Sequence, residues 1–204
     1  MIINNTLEYA KQLVDVPYRW YKSNELFTKC DKFWAENPNE FNIKNILPET
    51  IRESDKCIVC TGLINLMRRY NNLSIPGCIP INNLEVSIDT YNIYKDYPGG
   101  TGAWFYYLSN TNRLSLLDIN KKYPIGTLLL APYVDDENDQ GHVAVFIDDD
   151  KNIIHSYPTI SYSESYNHKN HGSVQIEPFI NSHYWIETGY YRYVCYPEDW
   201  LLCD

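Results

Sequence analysis

The 204-residue chain is 44% hydrophobic and 21% charged, with 9 Gly and 11 Pro. That composition excludes collagen-like, disordered and mini-protein classes, and a chain of this length can bury roughly 70% of its unfolded surface without needing disulfides or a metal. Seventeen basic residues against 26 acidic ones give a net charge of -9, which works against attraction to nucleic acid or an anionic membrane surface, and no stretch approaches the ~20 apolar residues of a membrane span.

The start, Met1-Ile2-Ile3-Asn4-Asn5, lacks the basic and then apolar regions of a signal peptide. Six Cys without an export signal fit free thiols in a reducing compartment better than a disulfide framework. The expectation is a cytoplasmic or intracellular protein with no nucleic-acid partner.

There is no internal repeat, low-complexity tract or long linker, so residues 1–204 read as a single domain. A short amphipathic helix is expected over 6–14, with Leu7, Ala10 and Leu13 on one face, stopped ahead of Pro17. An extended aromatic segment follows at 16–21. Residues 22–56, broken by Pro38 and Pro48, read as an irregular or partly helical insertion. From Cys60, the spacing of Leu63, Leu66, Met67 and Tyr70 predicts a helix with one buried face. Residues 71–100 carry Pro76, Pro80 and Pro98 and read as loop, followed by a short helix over 103–108. Strands are expected at 127–131, 142–147, 153–157 and 189–196. Helix first and strands later, with a tight hairpin, predicts an α+β fold with an antiparallel sheet.

Cys60 falls in the first turn of its helix, where unpaired N–H groups and a partial positive charge stabilise a thiolate. Cysteines so placed, especially beside an imidazolium, can have a pKa lowered from ~8.5 to roughly 3.5–7.5, which makes them nucleophiles. The bland alternative is a small buried apolar residue. A second candidate is His142, at the mouth of the apolar run Gly141-His142-Val143-Ala144-Val145-Phe146-Ile147; a third is His155, within Ile153-Ile154-His155-Ser156-Tyr157. Either could be a satisfied core histidine. If Ile147 pairs with Asn152 or with Asp150 across the intervening turn, His142 falls opposite Tyr157 or His155 respectively, and in both registers the imidazoles share a face. A one-residue slip would separate them. Nucleophile, base and orienter is the arrangement of a thiol hydrolase.

On these residues the chain resembles the NlpC-type, papain-like cysteine peptidases that cut cell-wall peptides. The family's Pro-Tyr-Arg-Trp type of segment is similar to Pro17-Tyr18-Arg19-Trp20, and its Cys-Ser-Gly-Leu to Cys60-Thr61-Gly62-Leu63. Its His-Val-Gly-Ile-Tyr strand resembles His142-Val143-Ala144-Val145-Phe146, and its Ile-His-Ala strand resembles Ile154-His155-Ser156. Four short matches occur in the family's order. The chain departs from the family at Tyr21-Lys22, which replace a Gly-Gly pair, at Val59, which replaces an Asp, and at Gly126-Thr127, which replace Gly-Asp.

The resemblance implies a papain-like fold of N-terminal helices, the nucleophile helix packed on an antiparallel sheet. It implies Cys60 as nucleophile, His142 as general base and then acid, His155 as orienting partner, and Tyr18 as a hydroxyl facing the nucleophile that helps bind substrate or the oxyanion. The Cys60 N–H would be the other oxyanion donor. The expected activity is amide hydrolysis with no cofactor and no metal, on peptides such as peptidoglycan fragments, and an intracellular enzyme would need delivery to reach a cell wall. The alternatives are an intracellular deamidase or acyltransferase with the same thiol chemistry, and a binding module that kept the fold and lost turnover.

Competing motifs have simpler explanations. Cys57-x-x-Cys60 has the spacing of half a zinc site, but no second such pair exists. His168-x-x-His171 lies in a polar stretch that reads as a solvated loop. Trp185, Tyr190, Tyr191 and Tyr193 could stack on a sugar or peptide, yet aromatics are ordinary strand formers. Residues 148–150, all Asp, suggest calcium, and a hairpin turn explains them with less.

Overall fold

The computed structural model describes residues 1–18, 47–53, 57–73, 75–76, 99–132, 141–158, 172–186 and 192–202. Four helices come first: α1 (Ile2–Lys11), α2 (Pro48–Glu53), α3 (Cys60–Tyr70) and α4 (Thr101–Asn110). The strands follow as β1 (Ser115–Leu116), β2 (Leu128–Ala131), β3 (His142–Phe146), β4 (Asn152–Pro158) and β5 (Gly172–Pro178). A 3-10 turn (Phe179–Asn181), helix α5 (His183–Ile186), strand β6 (Tyr193–Cys195) and helix α6 (Pro197–Trp200) complete the described chain. Among the described residues the sheet has six strands, in the order β1-β6-β2-β3-β4-β5, and every neighbouring pair is antiparallel. This is the expected α+β class.

Strands β2 and β3 are buried at every position, which is why their sequences are apolar at odd and even positions alike. Side-chain alternation sorts the sheet into two faces. Leu128, Leu130, Val143, Val145, Ile154, Val174 and Cys195 pack with Leu7, Leu63, Ile64, Met67 and Trp104 in the main core, under the helices. Leu129, Ala131, Ala144, Phe146, Ile153 and Val194 face the other way, into a smaller cluster with Tyr123, Phe179 and Trp185.

Helix α3 is held on three sides. Its Asn65 is buried, donating from Nδ2 to the Gly99 carbonyl (3.1 Å) and accepting from Trp104 Nε1–H (2.9 Å). Gly99 has φ +75°, and a Cβ there would lie 2.5 Å from the Asn65 amide, so only glycine fits this approach. Arg68, fully buried, donates to the Trp200 carbonyl at 2.7 Å and lies 5.6 Å over the Trp104 ring.

Several elements differ from expectation. α1 begins four residues earlier than predicted and ends at Lys11, because Leu13 and Val14 close tighter i to i-3 bonds and Asp15 adopts φ 71°. α4 spans Thr101–Asn110, longer than the predicted turn and a half. β5 was not anticipated: within Gly172–Pro178 only Val174 is buried, and the weak Val174-Gln175-Ile176-Glu177 alternation was its one signal. Of the fourth predicted strand, the described part is Tyr193–Cys195, and residues 187–191 lie outside the described set. So do most of the predicted insertion at 22–56, of which Pro48–Glu53 is helical, and most of the predicted loop at 71–100. His168, His171, Arg19 and Trp20 also fall outside it. Cys57 is disulfide-bonded to a partner that is not among the described residues. This departs from the expectation of free thiols, since a compositional argument about compartments says nothing of which pairs the fold brings together. Among the described residues no helix is long and apolar enough to cross a membrane.

Candidate active site

The residue before Cys60 is Val59, in extended conformation (φ -77°, ψ 168°), and it supplies no side-chain cap. Val has no oxygen to offer the first-turn N–H groups of α3. The approach to the helix is instead fixed from outside. Ile58 N–H donates to the Pro17 carbonyl at 2.8 Å, and the buried Ser156 hydroxyl of β4 donates to the Ile58 carbonyl at 2.5 Å. The Pro17 segment is itself anchored, with Val174 N–H donating to the Val16 carbonyl (2.9 Å) and Tyr18 N–H to that of Gly172 (2.9 Å). Residues 16–18 thus run along the outer edge of β5, and the backbone of Tyr18 lies one residue from the carbonyl that holds the Cys60 approach.

Cys60 keeps partial exposure to solvent. Its sulfur faces the N–H groups of Cys60, Thr61 and Val143, all of which favour a thiolate, yet desolvation outweighs them and pushes the thiol up to about 11. The lowered thiol expected at a helix start is therefore not found in the resting site. Among the described residues no hydrogen bond joins the thiol to the His142 ring. What the fold does bring to Cys60 is the backbone of Val143, the residue after His142.

His142 lies at the first position of β3, almost fully buried. The hairpin pairs Val145 with Ile154 and Phe146 with Ile153, and Ile147 N–H donates to the Asn152 carbonyl (2.9 Å). This is the first of the two registers, and continued up the ladder it sets His142 opposite Tyr157, with ring centroids 4.9 Å apart. His155 is then diagonal to His142, on the same face. The diagonal closes to a direct contact: His142 Nε2 and His155 Nδ1 are 2.9 Å apart.

Around this pair lie groups that sequence reasoning did not assign. The His142 ring stacks on Trp185 (5.5 Å, 29°) and meets Tyr184 edge-on at 5.1 Å. His155, wholly buried, stacks on Tyr157 at 5.2 Å. Burial holds the His142 imidazole well below its usual 6.5, reinforced by the neighbouring His155 and by the Arg192 guanidinium, so the ring rests neutral. Glu177 of β5 places Oε1 3.2 Å from His155 Nε2, and Gln175 Nε2 is 3.1 Å from the same nitrogen. The hydrogen bond from His155 holds the Glu177 carboxyl below its usual value. Both side chains come from the strand that had no strong sequence signal.

The competing motifs resolve among the described residues. Asp148 accepts from Asp150 N–H (3.0 Å), Asn152 N–H (2.9 Å) and Asn152 Nδ2 (2.7 Å), so it builds the hairpin turn. Trp185 belongs to the second core cluster. The disulfide at Cys57 removes it as a partner of Cys60 in a metal site, and among the described residues no group of three His, Cys, Asp or Glu could hold a metal ion.

The fold brings His142 and His155 into contact and lays the Cys60 sulfur against the backbone N–H of Val143, the residue after His142. Compared with known proteins, the chain matches no family model, no curated protein and no solved structure.

Proposed function

We propose that the protein is a cysteine hydrolase of amide bonds, with a papain-like, NlpC-type arrangement in which Cys60 is the nucleophile, His142 the general base and then acid, and His155 its orienting partner. The observation that carries this reading is the 2.9 Å contact between His142 Nε2 and His155 Nδ1 beside a helix-start cysteine whose sulfur meets the Val143 N–H. With Nε2 occupied by His155, Nδ1 is the nitrogen of His142 left to take a proton.

Because the thiol rests protonated and the imidazole neutral, attack and proton transfer are coupled. The Cys60 sulfur bonds to the substrate carbonyl carbon as its proton passes to His142 Nδ1. The oxyanion is met by the first-turn N–H groups of α3 and by the Tyr18 hydroxyl. His142 then protonates the departing amine, the C–N bond breaks, and a water deprotonated by His142 cleaves the thioester. Catalytic hydrogen bonds that are open in a resting site commonly close in the substrate complex, which is where the thiol and the His142 ring meet.

The substrate class is a peptide or other amide, with peptidoglycan fragments the case suggested by the resemblance. A transferase variant of the chemistry is favoured by one observation: the base is walled by Tyr157, Tyr184 and Trp185, which restricts water and would let a bound amine take the acyl group. The test is a panel of peptidoglycan fragments, peptide amides and lipid esters read by mass spectrometry, with and without an added amine. Cleavage lost in Cys60→Ala supports the hydrolase. Amine-dependent product would shift the reading to transfer, and no turnover of any member by wild-type protein would overturn both.

A further inference from the structure

Nε2 of His155 has two neighbours on β5 that make opposite demands. Glu177 Oε1 lies 3.2 Å away and Gln175 Nε2 lies 3.1 Å away. An ionised carboxylate can only accept, whereas an amide can turn to offer either its oxygen or its NH2. If His155 carries its proton on Nδ1, its Nε2 lone pair faces the carboxylate lone pairs. Its Nδ1–H must then be accepted by His142 Nε2, which moves the His142 proton to Nδ1 and blocks the base. If His155 carries its proton on Nε2, Glu177 accepts it, Gln175 turns its oxygen inward, and Nδ1 accepts from His142 Nε2–H.

Only the second arrangement gives the carboxylate a hydrogen bond from His155. His155 is wholly buried. A charged hydrogen bond is roughly twice as strong as a neutral one, so Glu177 outweighs Gln175. The Ser182 hydroxyl also donates to Glu177 and keeps it ionised.

We propose that Glu177 is a positioning residue that selects the tautomer of the histidine pair: by accepting the Nε2–H of His155 it directs His142 to hold its proton on Nε2 and leaves Nδ1 free as the base. The inference rests on the reading of His142 as base, and it extends the set from three residues to a relay of four, reaching from α3 across β3 and β4 to β5. Glu177 also stabilises the His142 imidazolium through His155 once the thiol proton has moved. The other groups facing the pair are Tyr157 on β4, Tyr184 and Trp185 on α5, Arg192 ahead of β6 and, through the Val143 backbone, Cys60 on α3.

Two measurements on the full chain test this. Nitrogen NMR of histidine-labelled protein at neutral pH, assigned with His142→Gln and His155→Gln, reports the tautomers without any substrate. Wild type should show both rings protonated on Nε2, and Glu177→Ala should move His155 toward a mixture, with Glu177→Gln restoring the wild-type tautomer because its amide oxygen still accepts. The second probe is p-nitrophenyl acetate: the Cys60 sulfur takes the acetyl group, the ester C–O bond breaks, nitrophenolate leaves with the electron pair, and the thiol proton goes to His142. The burst rate should fall at least about tenfold in Glu177→Ala, the size of one charged hydrogen bond. Glu177→Gln should be intermediate, since it orients without charge. A His155 protonated on Nδ1 in wild type, or a tautomer unchanged in Glu177→Ala, overturns the proposal even if hydrolysis is intact. A burst that survives Cys60→Ala or His142→Gln, with the tautomers as expected, instead overturns the catalytic reading and leaves the Glu177 contact standing.

Discussion

Nε2 of His142 and Nδ1 of His155 lie 2.9 Å apart, so one proton lies between two rings of different duty. His142 must carry a proton from the thiol to the leaving group; His155 must only hold and support it. His142→Gln should therefore lower turnover of any true substrate by about 10²- to 10⁴-fold, the usual worth of a positioned acid-base group. His155→Gln, which can still orient through its amide, should retain measurable turnover. Equal, small losses at both positions in a rate comparison would remove the relay from the mechanism.

Cys60 supplies the nucleophile without a pre-formed thiolate. Since desolvation pushes its thiol up to about 11, iodoacetamide labelling of the free protein should be slow at pH 7 and climb steadily to a midpoint near pH 11. Because the neutral His142 ring contributes no charge at rest, His142→Gln should leave that midpoint nearly in place while it stops turnover. Mass-spectrometric labelling rates from pH 6 to 11 check this; rapid labelling at pH 6 would mean a resting ion pair. Cys60→Ala should abolish turnover and shift Tm little, as the side chain is only partly buried.

Stability should fall on acidification in two stages. His142 has a folded pKa below its ordinary 6.5, so the unfolded chain binds a proton more readily, and stability present above about pH 6.5 is lost as pH drops below it. Glu177 and Asp148 have folded pKa values below their ordinary 4.5 and 3.8. Their contribution holds above those values and is lost as pH falls through them. Thermal melts from pH 8 to 3 should show both stages, and His142→Gln should flatten the upper one selectively. An upper stage unchanged in that variant would assign it to another group.

Asn65 joins α3 to Trp104 of α4 and to Gly99 just ahead of that helix through two buried bonds. Asn65→Leu leaves the Trp104 Nε1–H and the Gly99 carbonyl without partners, each loss costing about 1–3 kcal/mol. Denaturant unfolding should show a fall of that order or more, together with loss of turnover, because the start of α3 carries Cys60. A variant with wild-type stability would show that α3 is held mainly by its apolar face.

Leu63, Leu66 and Met67 announced α3, and the apolar runs at 128–131 and 142–146 announced the central strands, because helical and strand periodicity are local properties that burial leaves in the chain. The shared face of His142 and His155 was legible for the same reason: a strand alternates, and both admissible registers kept the two rings together. The choice between those registers needed the structure, since it depends on the turn in which Asp148 accepts from Asn152. Glu177 was illegible, because β5 buries little and its place beside β4 is a long-range pairing that no local pattern records. The state of the Cys60 thiol was likewise decided by tertiary structure. Local sequence gives the helix-start N–H groups that favour a thiolate, but desolvation comes from every element packed around the sulfur, and in this protein it is the larger effect.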